Sequence, residues 1–316
     1  MNNYEELKKV VEEKAVIRHV SKHRNPDGSM DIAGNLKLWN DAVKRFETIK
    51  LWDKTPNFDD RDANQIEPNI IFIKGKTNEK RGTILVACGG GFETRTGCEG
   101  FNIANYFVEH GFNCAILTYR LKPYGRKDAM DDMQRAIRLL RYKKDELNIT
   151  DKICCMGFSA GGMLSGNCAT HFDYGNKESE DPVEKESSRP DLVVMGYGAF
   201  CFAGMPQGFF FNPFGDQIRN PFFANKDELL YYSPEVNIAK ETPPFFIWQT
   251  NSDDPRNSFT MGNALTAMGI PFEMHLFPEG VHGLALADGN NDLSMDIPSV
   301  AQWAPLCVNW LNNNKL

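Results

Sequence analysis

Residues 157–161 read G-F-S-A-G, a serine with a glycine two residues away on either side. A hydroxyl so placed is a candidate nucleophile for acyl transfer. The preceding run K-I-C-C-M (152–156) has strand character, and an apolar helix is expected over Gly161 to His171. Ser159 therefore stands at a strand-to-helix junction, where the chain must turn sharply. Small residues at Gly157 and Gly161 let strand and helix approach each other there. The helix N-terminus also turns free N–H groups toward the serine, which favours developing negative charge.

A serine is not a nucleophile at neutral pH without a base. His282, in V-H-G-L, follows a strand-like run and an F-P-E-G turn, which would hang it over the same sheet edge as the serine. The other histidines are placed less well: His19 and His23 lie near the N-terminus, His110 and His171 at helix ends, and His275 inside a strand. The base in turn needs a carboxylate to hold its tautomer. Asp253 and Asp254, in Q-T-N-S-D-D-P, both follow a strand directly; Asp253 is preferred, because Asp254 precedes Pro255 and suits a turn. A tetrahedral oxyanion needs fixed N–H donors. Ala160, after the nucleophile, and Gly90 and Gly91, in C-G-G-G-F (88–92), are the expected donors. Phe92, Phe158, Phe202 and Phe210 are the expected substrate contacts.

Strands and helices must alternate to place these residues at one edge. Strand-like runs occupy 69–74, 83–88, 114–119, 152–156, 191–197, 244–249 and 272–277. Between them, helical patterns are expected over 100–110, 128–148, 161–171 and 258–268. That rhythm predicts an α/β fold with a mostly parallel sheet covered on both faces. Residues 1–65 read as an N-terminal helical extension packed on the core, and 66–316 as the catalytic domain. Two segments break the rhythm. Lys177 to Pro190 is a charged surface loop, and about 200–236 is an aromatic-rich insertion that serves as lid, substrate wall or core closure.

Composition narrows the function classes. The 316 residues carry a formal net charge of -7, with no basic stripe, so nucleic acid is not an expected partner. No run is long and apolar enough to span a bilayer, and the first residues, M-N-N-Y-E-E-L-K-K-V, lack an apolar signal core. The eight cysteines form no C-x-x-C pair, which argues for buried free thiols rather than zinc. A reduced, cytoplasmic setting is expected, with neither metal nor organic cofactor. An exposed aromatic patch would favour self-association, so a homo-oligomer is among the expected states.

Taken together, G-G-G-F (89–92), A-I-L-T-Y-R-L (115–121), D-D-M-Q-R-A-I-R (131–138), M-G-F-S-A-G-G (156–162), S-P-E-V (233–236), T-P-P-F-F-I-W-Q-T (242–250) and L-F-P-E-G-V-H-G-L (276–284) resemble α/β-hydrolase esterases of the acetyl-xylan-esterase-like and dienelactone-hydrolase-like group. The resemblance covers roughly residues 66 to 312. Ser159, Asp253 and His282 follow the chain order of that fold's triad. The resemblance implies hydrolysis of a carboxylic ester by a serine esterase, with an O-acetylated sugar or xylo-oligosaccharide as substrate. It also supports Asp253, aligned with the family's D-x-x-V-P turn, as the acid. Competing expectations are an amidase, peptidase or formamidase on the same residues, and a binding protein on a hydrolase scaffold.

Overall fold

A computed structural model describes residues 3–14, 16, 25–29, 31–59, 65–198, 201–203 and 226–316. Eight strands form one sheet: β1 (Ile49–Lys50), β2 (Asn69–Ile73), β3 (Thr83–Ala87), β4 (Asn113–Thr118), β5 (Ile153–Phe158), β6 (Leu192–Gly196), β7 (Phe245–Thr250) and β8 (Phe272–Phe277). Their order across the sheet is β1-β2-β4-β3-β5-β6-β7-β8. From β4 to β8 every pairing is parallel, while β2 runs antiparallel to both β1 and β4. The two-residue β1 has no signal in the sequence pattern, because so short a strand shows no period.

Successive residues of each central strand face opposite sides. Ile84, Val86, Cys154, Met156, Phe246 and Trp248 enter one core layer. Leu85, Ala87, Cys155, Val193, Phe245 and Ile247 enter the other. Both faces are covered, which is why these strands read as unbroken apolar runs. The first layer is roofed by α1 (Asn3–Glu13), α2 (Ile32–Val43), α3 (Ile103–Glu109) and α9 (Trp303–Asn313), through residues such as Leu7, Trp39, Phe107 and Trp310. The second is roofed by α4 (Arg126–Tyr142), α5 (Ala160–Thr170) and α7 (Arg256–Met268), through Met133, Ile137, Leu164 and Leu265. Two short helices, α6 (Lys226–Tyr231) and α8 (Pro298–Ala301), complete the set among the described residues.

Helix α4 ends at Tyr142, earlier than the periodicity over 128–148 suggests. The chain after it forms a turn in which the Leu147 N–H donates to the Lys143 carbonyl and Asn148 adopts a φ of 51°. Three arginines on α4 hold the charged loop and its two flanks: Arg135 reaches Glu184 at 2.6 Å, Arg138 reaches Asp173 at 2.5 Å and Arg141 reaches Asp191 at 2.7 Å. Arg120, after β4, is buried with Asp132 of α4, its Nη2 2.8 Å from Oδ1. Asp132 also accepts from the Trp52 indole at 3.2 Å, tying residues before β2 to α4. All eight cysteines are buried free thiols.

Candidate active site

Ser159 sits between β5 and α5 with φ 53° and ψ −121°, a conformation that side chains other than glycine adopt at a cost of about 1–3 kcal/mol. The Ser159 N–H donates to the Gly196 carbonyl at 3.1 Å, and the Met163 N–H donates to the Ser159 carbonyl at 3.1 Å, so both sides of the turn are fixed. A Cβ at Gly157 would lie 2.0 Å from the Gly161 carbonyl oxygen, and one at Gly161 would lie 2.0 Å from that of Ala87. No side chain fits at either position.

The structure brings His282 and Asp253 to this serine. The His282 Nε2 is 2.8 Å from the Ser159 Oγ, and its Nδ1 is 2.9 Å from the Asp253 Oδ2. The acid loop leaves β7 and the histidine loop leaves β8; the two strands are parallel neighbours, which sets their loops side by side. The Ser252 hydroxyl donates to the Gly280 carbonyl and locks one loop to the other. Asp254 turns away, its carboxylate 2.7 Å from the Arg256 Nη2.

Burial disfavours the imidazolium of His282, but the hydrogen bond and charge of Asp253, with the charge of Glu99, outweigh it and hold the imidazole above its usual value. Burial lifts the Asp253 carboxyl above its usual range, against the opposing pull of His282. An imidazole whose pKa is raised is the stronger base.

The glycine loop crosses beside Ser159. A Cβ at Gly89 would lie 2.7 Å from that of Ser159, so this approach requires glycine. Gly90 takes a φ of 118° and Gly91 a φ of 65°. The Gly90 carbonyl accepts from the N–H groups of Glu93 and Thr94 at 3.1 Å each. Among the described residues nothing accepts from the Gly90 or Gly91 amides. As the first residue of α5, Ala160 has an N–H with no acceptor within the helix.

The four phenylalanines divide. Phe92 follows the glycines with a φ of 60°, its ring edge toward Tyr119 and the Arg126 guanidinium 5.5 Å from its centroid. Phe202 is buried beside Ala203, whose N–H donates to the Glu235 carboxylate at 2.8 Å. Phe210, with most of the 200–236 insertion, lies outside the described residues. Phe158, expected to contact substrate, is instead fully buried among Tyr197, Trp248 and Trp303. The period of two explains this, since Phe158 is on the strand face opposite the α5 layer.

Two polar residues beside the site escaped the sequence reading. Glu99 is buried behind the glycine loop, and Tyr197, at the end of β6, stands edge-on to the His282 ring with centroids 5.3 Å apart. Each had a faint signal: a lone acid within G-C-E-G, and a tyrosine at a strand's carboxyl end.

The strand order, the turn at Ser159 and the loops at the carboxyl ends of β7 and β8 define an α/β-hydrolase. The BD-FAE family model matches residues 70–260, and the chain belongs to that family of α/β-hydrolase esterases. The chain is 32% identical over 256 residues to endo-1,4-beta-xylanase B of Butyrivibrio fibrisolvens, covering 78% of this chain and 39% of that protein. It thus spans about two fifths of the length of the curated relatives it matches, which include a probable carboxylic ester hydrolase, LipM, of Mycobacterium tuberculosis with 36% covered. A crystal structure of an acetyl ester-xyloside bifunctional hydrolase from Caldicellulosiruptor lactoaceticus superposes with a TM-score of 0.74 at 33% identity, covering 84% of this chain and 96% of that one. The carboxylesterase Cest-2923 from Lactobacillus plantarum shares the fold at 22% identity, with a TM-score of 0.63 over 78% of this chain and 92% of that one. Among the described residues no helix is long and apolar enough to cross a membrane.

Proposed function

We propose that this chain is a serine esterase that removes acetyl groups from O-acetylated sugars or xylo-oligosaccharides. The observation that carries the esterase reading is the continuous hydrogen-bonded chain from Ser159 through His282 to Asp253 at 2.8 and 2.9 Å. The sugar reading leans on the relative described as an acetyl ester-xyloside hydrolase.

In this mechanism the Ser159 Oγ attacks the ester carbonyl as His282 Nε2 takes its proton. Asp253 keeps the Nδ1 protonated and offsets the imidazolium charge. The carbonyl oxygen becomes an oxyanion and draws on the Ala160 amide and the Gly90 and Gly91 amides. The tetrahedral adduct collapses, the alcohol leaves with the proton from His282, and the acyl group stays on Ser159. Water then attacks the acyl-enzyme by the same route and releases the acid. Phe92 and Phe202 are the described aromatic residues proposed to flank the acyl group.

The test compares acetate release from acetylated xylo-oligosaccharides with hydrolysis of butyrate and octanoate esters, for wild type and Ser159→Ala. Preferential acetate release is expected, falling in the variant by about 10⁴-fold or more. Labelling by a fluorophosphonate should vanish with it. Activity on the longer esters alone would reject the sugar assignment, and an active, labelled Ser159→Ala would reject the mechanism.

A further inference from the structure

We propose that Glu99 is a positioning residue that fastens the glycine loop to the histidine loop and so sets both the oxyanion donors and the base. The inference rests on the serine-esterase reading above. Glu99 lies in a single turn of π-helix, Cys98–Asn102, just beyond the glycine loop, and is 2% exposed. Its Oε2 accepts from the Gly89 N–H at 2.6 Å and from the Thr96 hydroxyl. Its Oε1 accepts from the Tyr197 hydroxyl at 2.8 Å. The same hydroxyl accepts from the Ala285 N–H at 2.9 Å, three residues beyond His282. One carboxylate therefore joins the loop after β3, the end of β6 and the loop after β8.

Three consecutive glycines cannot hold their own amides in place, because glycine has the broadest backbone freedom. Preorganised donors are what stabilise an oxyanion. A carboxylate accepting from a backbone N–H makes one of the stronger neutral–charged hydrogen bonds, so Glu99 supplies the rigidity that the glycines lack. The support extends outward: the ring of Trp39, on α2, packs against Phe101 with centroids 4.9 Å apart, and a Cβ at Gly100 would meet Trp39 at 3.0 Å.

Glu99 also acts on the base through charge. Among the described residues, the groups that face His282 include Ser159 from the β5–α5 turn, Asp253 from the loop after β7, the Tyr197 ring from the end of β6, and Glu99 at longer range. Burial and the Glu99 charge push the Asp292 carboxyl up to about 8, so at neutral pH it favours the uncharged form.

The experiment compares wild type, Glu99→Gln and Tyr197→Phe in hydrolysis of a short acyl ester, with sites counted by fluorophosphonate titration so that only folded, reactive enzyme enters kcat. Gln matches Glu in shape and removes the charge. Removing a whole oxyanion donor costs about 10²–10³-fold, so loosening the loop should cost about tenfold or more in kcat, with KM within about threefold. The acid limb of kcat/KM should move to lower pH, since the imidazolium loses a stabilising charge. Tyr197→Phe keeps the charge and breaks the bridge to Ala285: kcat should fall at least about fivefold with the acid limb unmoved, and this variant decides if Glu99→Gln fails to fold. A kcat per titrated site within about twofold of wild type, or an acid limb unmoved in Glu99→Gln, overturns the proposal while leaving the serine-esterase reading intact. A wild-type enzyme that the probe does not titrate overturns both.

Discussion

Two adjacent aspartates offer a sharp test, because they share nearly one place in the sequence and have different partners in space. Asp253 meets the His282 Nδ1 at 2.9 Å, whereas Asp254 pairs with the Arg256 Nη2 at 2.7 Å. Asn in place of Asp253 keeps the shape and removes the charge; turned to donate, it would also force the proton onto Nε2, which then could not accept from Ser159. The expected loss in kcat is about 10⁴-fold, or roughly 5 kcal/mol of barrier at 1.36 kcal/mol per decade. Asp254→Asn breaks a partly exposed pair, whose side chains are 22% and 36% accessible, worth about 0–1 kcal/mol. Its φ of 49° suits Asn as well as Asp, so kcat should stay within about threefold. The stability effects run the other way. The folded pKa of Asp253 is raised, so its carboxyl contributes stability below the unfolded value and loses it as pH rises through the folded one. In the alkaline range, above the folded values of both Asp253 and His282, Asp253→Asn should therefore melt no lower than wild type. Steady-state hydrolysis of a short acyl ester, with sites titrated, and thermal melts are the assays. If Asp254→Asn lost as much activity as Asp253→Asn, or if Asp253→Asn kept more than about a tenth, the assignment of the acid would be wrong.

Further outcomes follow from the same geometry. Gly161→Ala should cost more than about 3 kcal/mol in denaturant unfolding, since its Cβ meets the Ala87 carbonyl at 2.0 Å; Gly91→Ala, with nothing within 4 Å and only a φ of 65° to strain it, should cost about 1–2 kcal/mol. Asp132→Ala should cost about 3–5 kcal/mol, because it removes the fully buried carboxylate from the Arg120 guanidinium and leaves it only the partly exposed Asp128 at 3.1 Å, and Arg120→Met combined with Asp132→Leu should recover much of that. The acid limb of kcat/KM should lie above the usual imidazole value of about 6.5, because the folded pKa of His282 is raised; activity is lost as pH falls through it, and a limb at or below that value contradicts the pairing.

The strands were legible because both faces of the sheet are covered, which forces unbroken apolar runs such as T-I-L-V-A and I-C-C-M. Ser159 was legible because its turn demands Gly157 and Gly161, a local constraint that leaves a local mark. Phe158 was read as a substrate contact but lies in the core, because adjacency in sequence to Ser159 says nothing of which strand face a side chain takes. Glu99 and Tyr197 went unread because they are 98 residues apart and meet through one hydrogen bond, with no spacing rule to announce them.

The sequence alone determined the alternation of strands and helices, the tight turn at Ser159 and the glycine loop, since each depends on short-range sterics and burial. Tertiary structure decided which aspartate faces His282, which phenylalanine enters the core, and how Glu99 bridges two loops. Those outcomes depend on parallel neighbours β7 and β8, and on β3 lying between β4 and β5, which is long-range pairing that no window of residues contains.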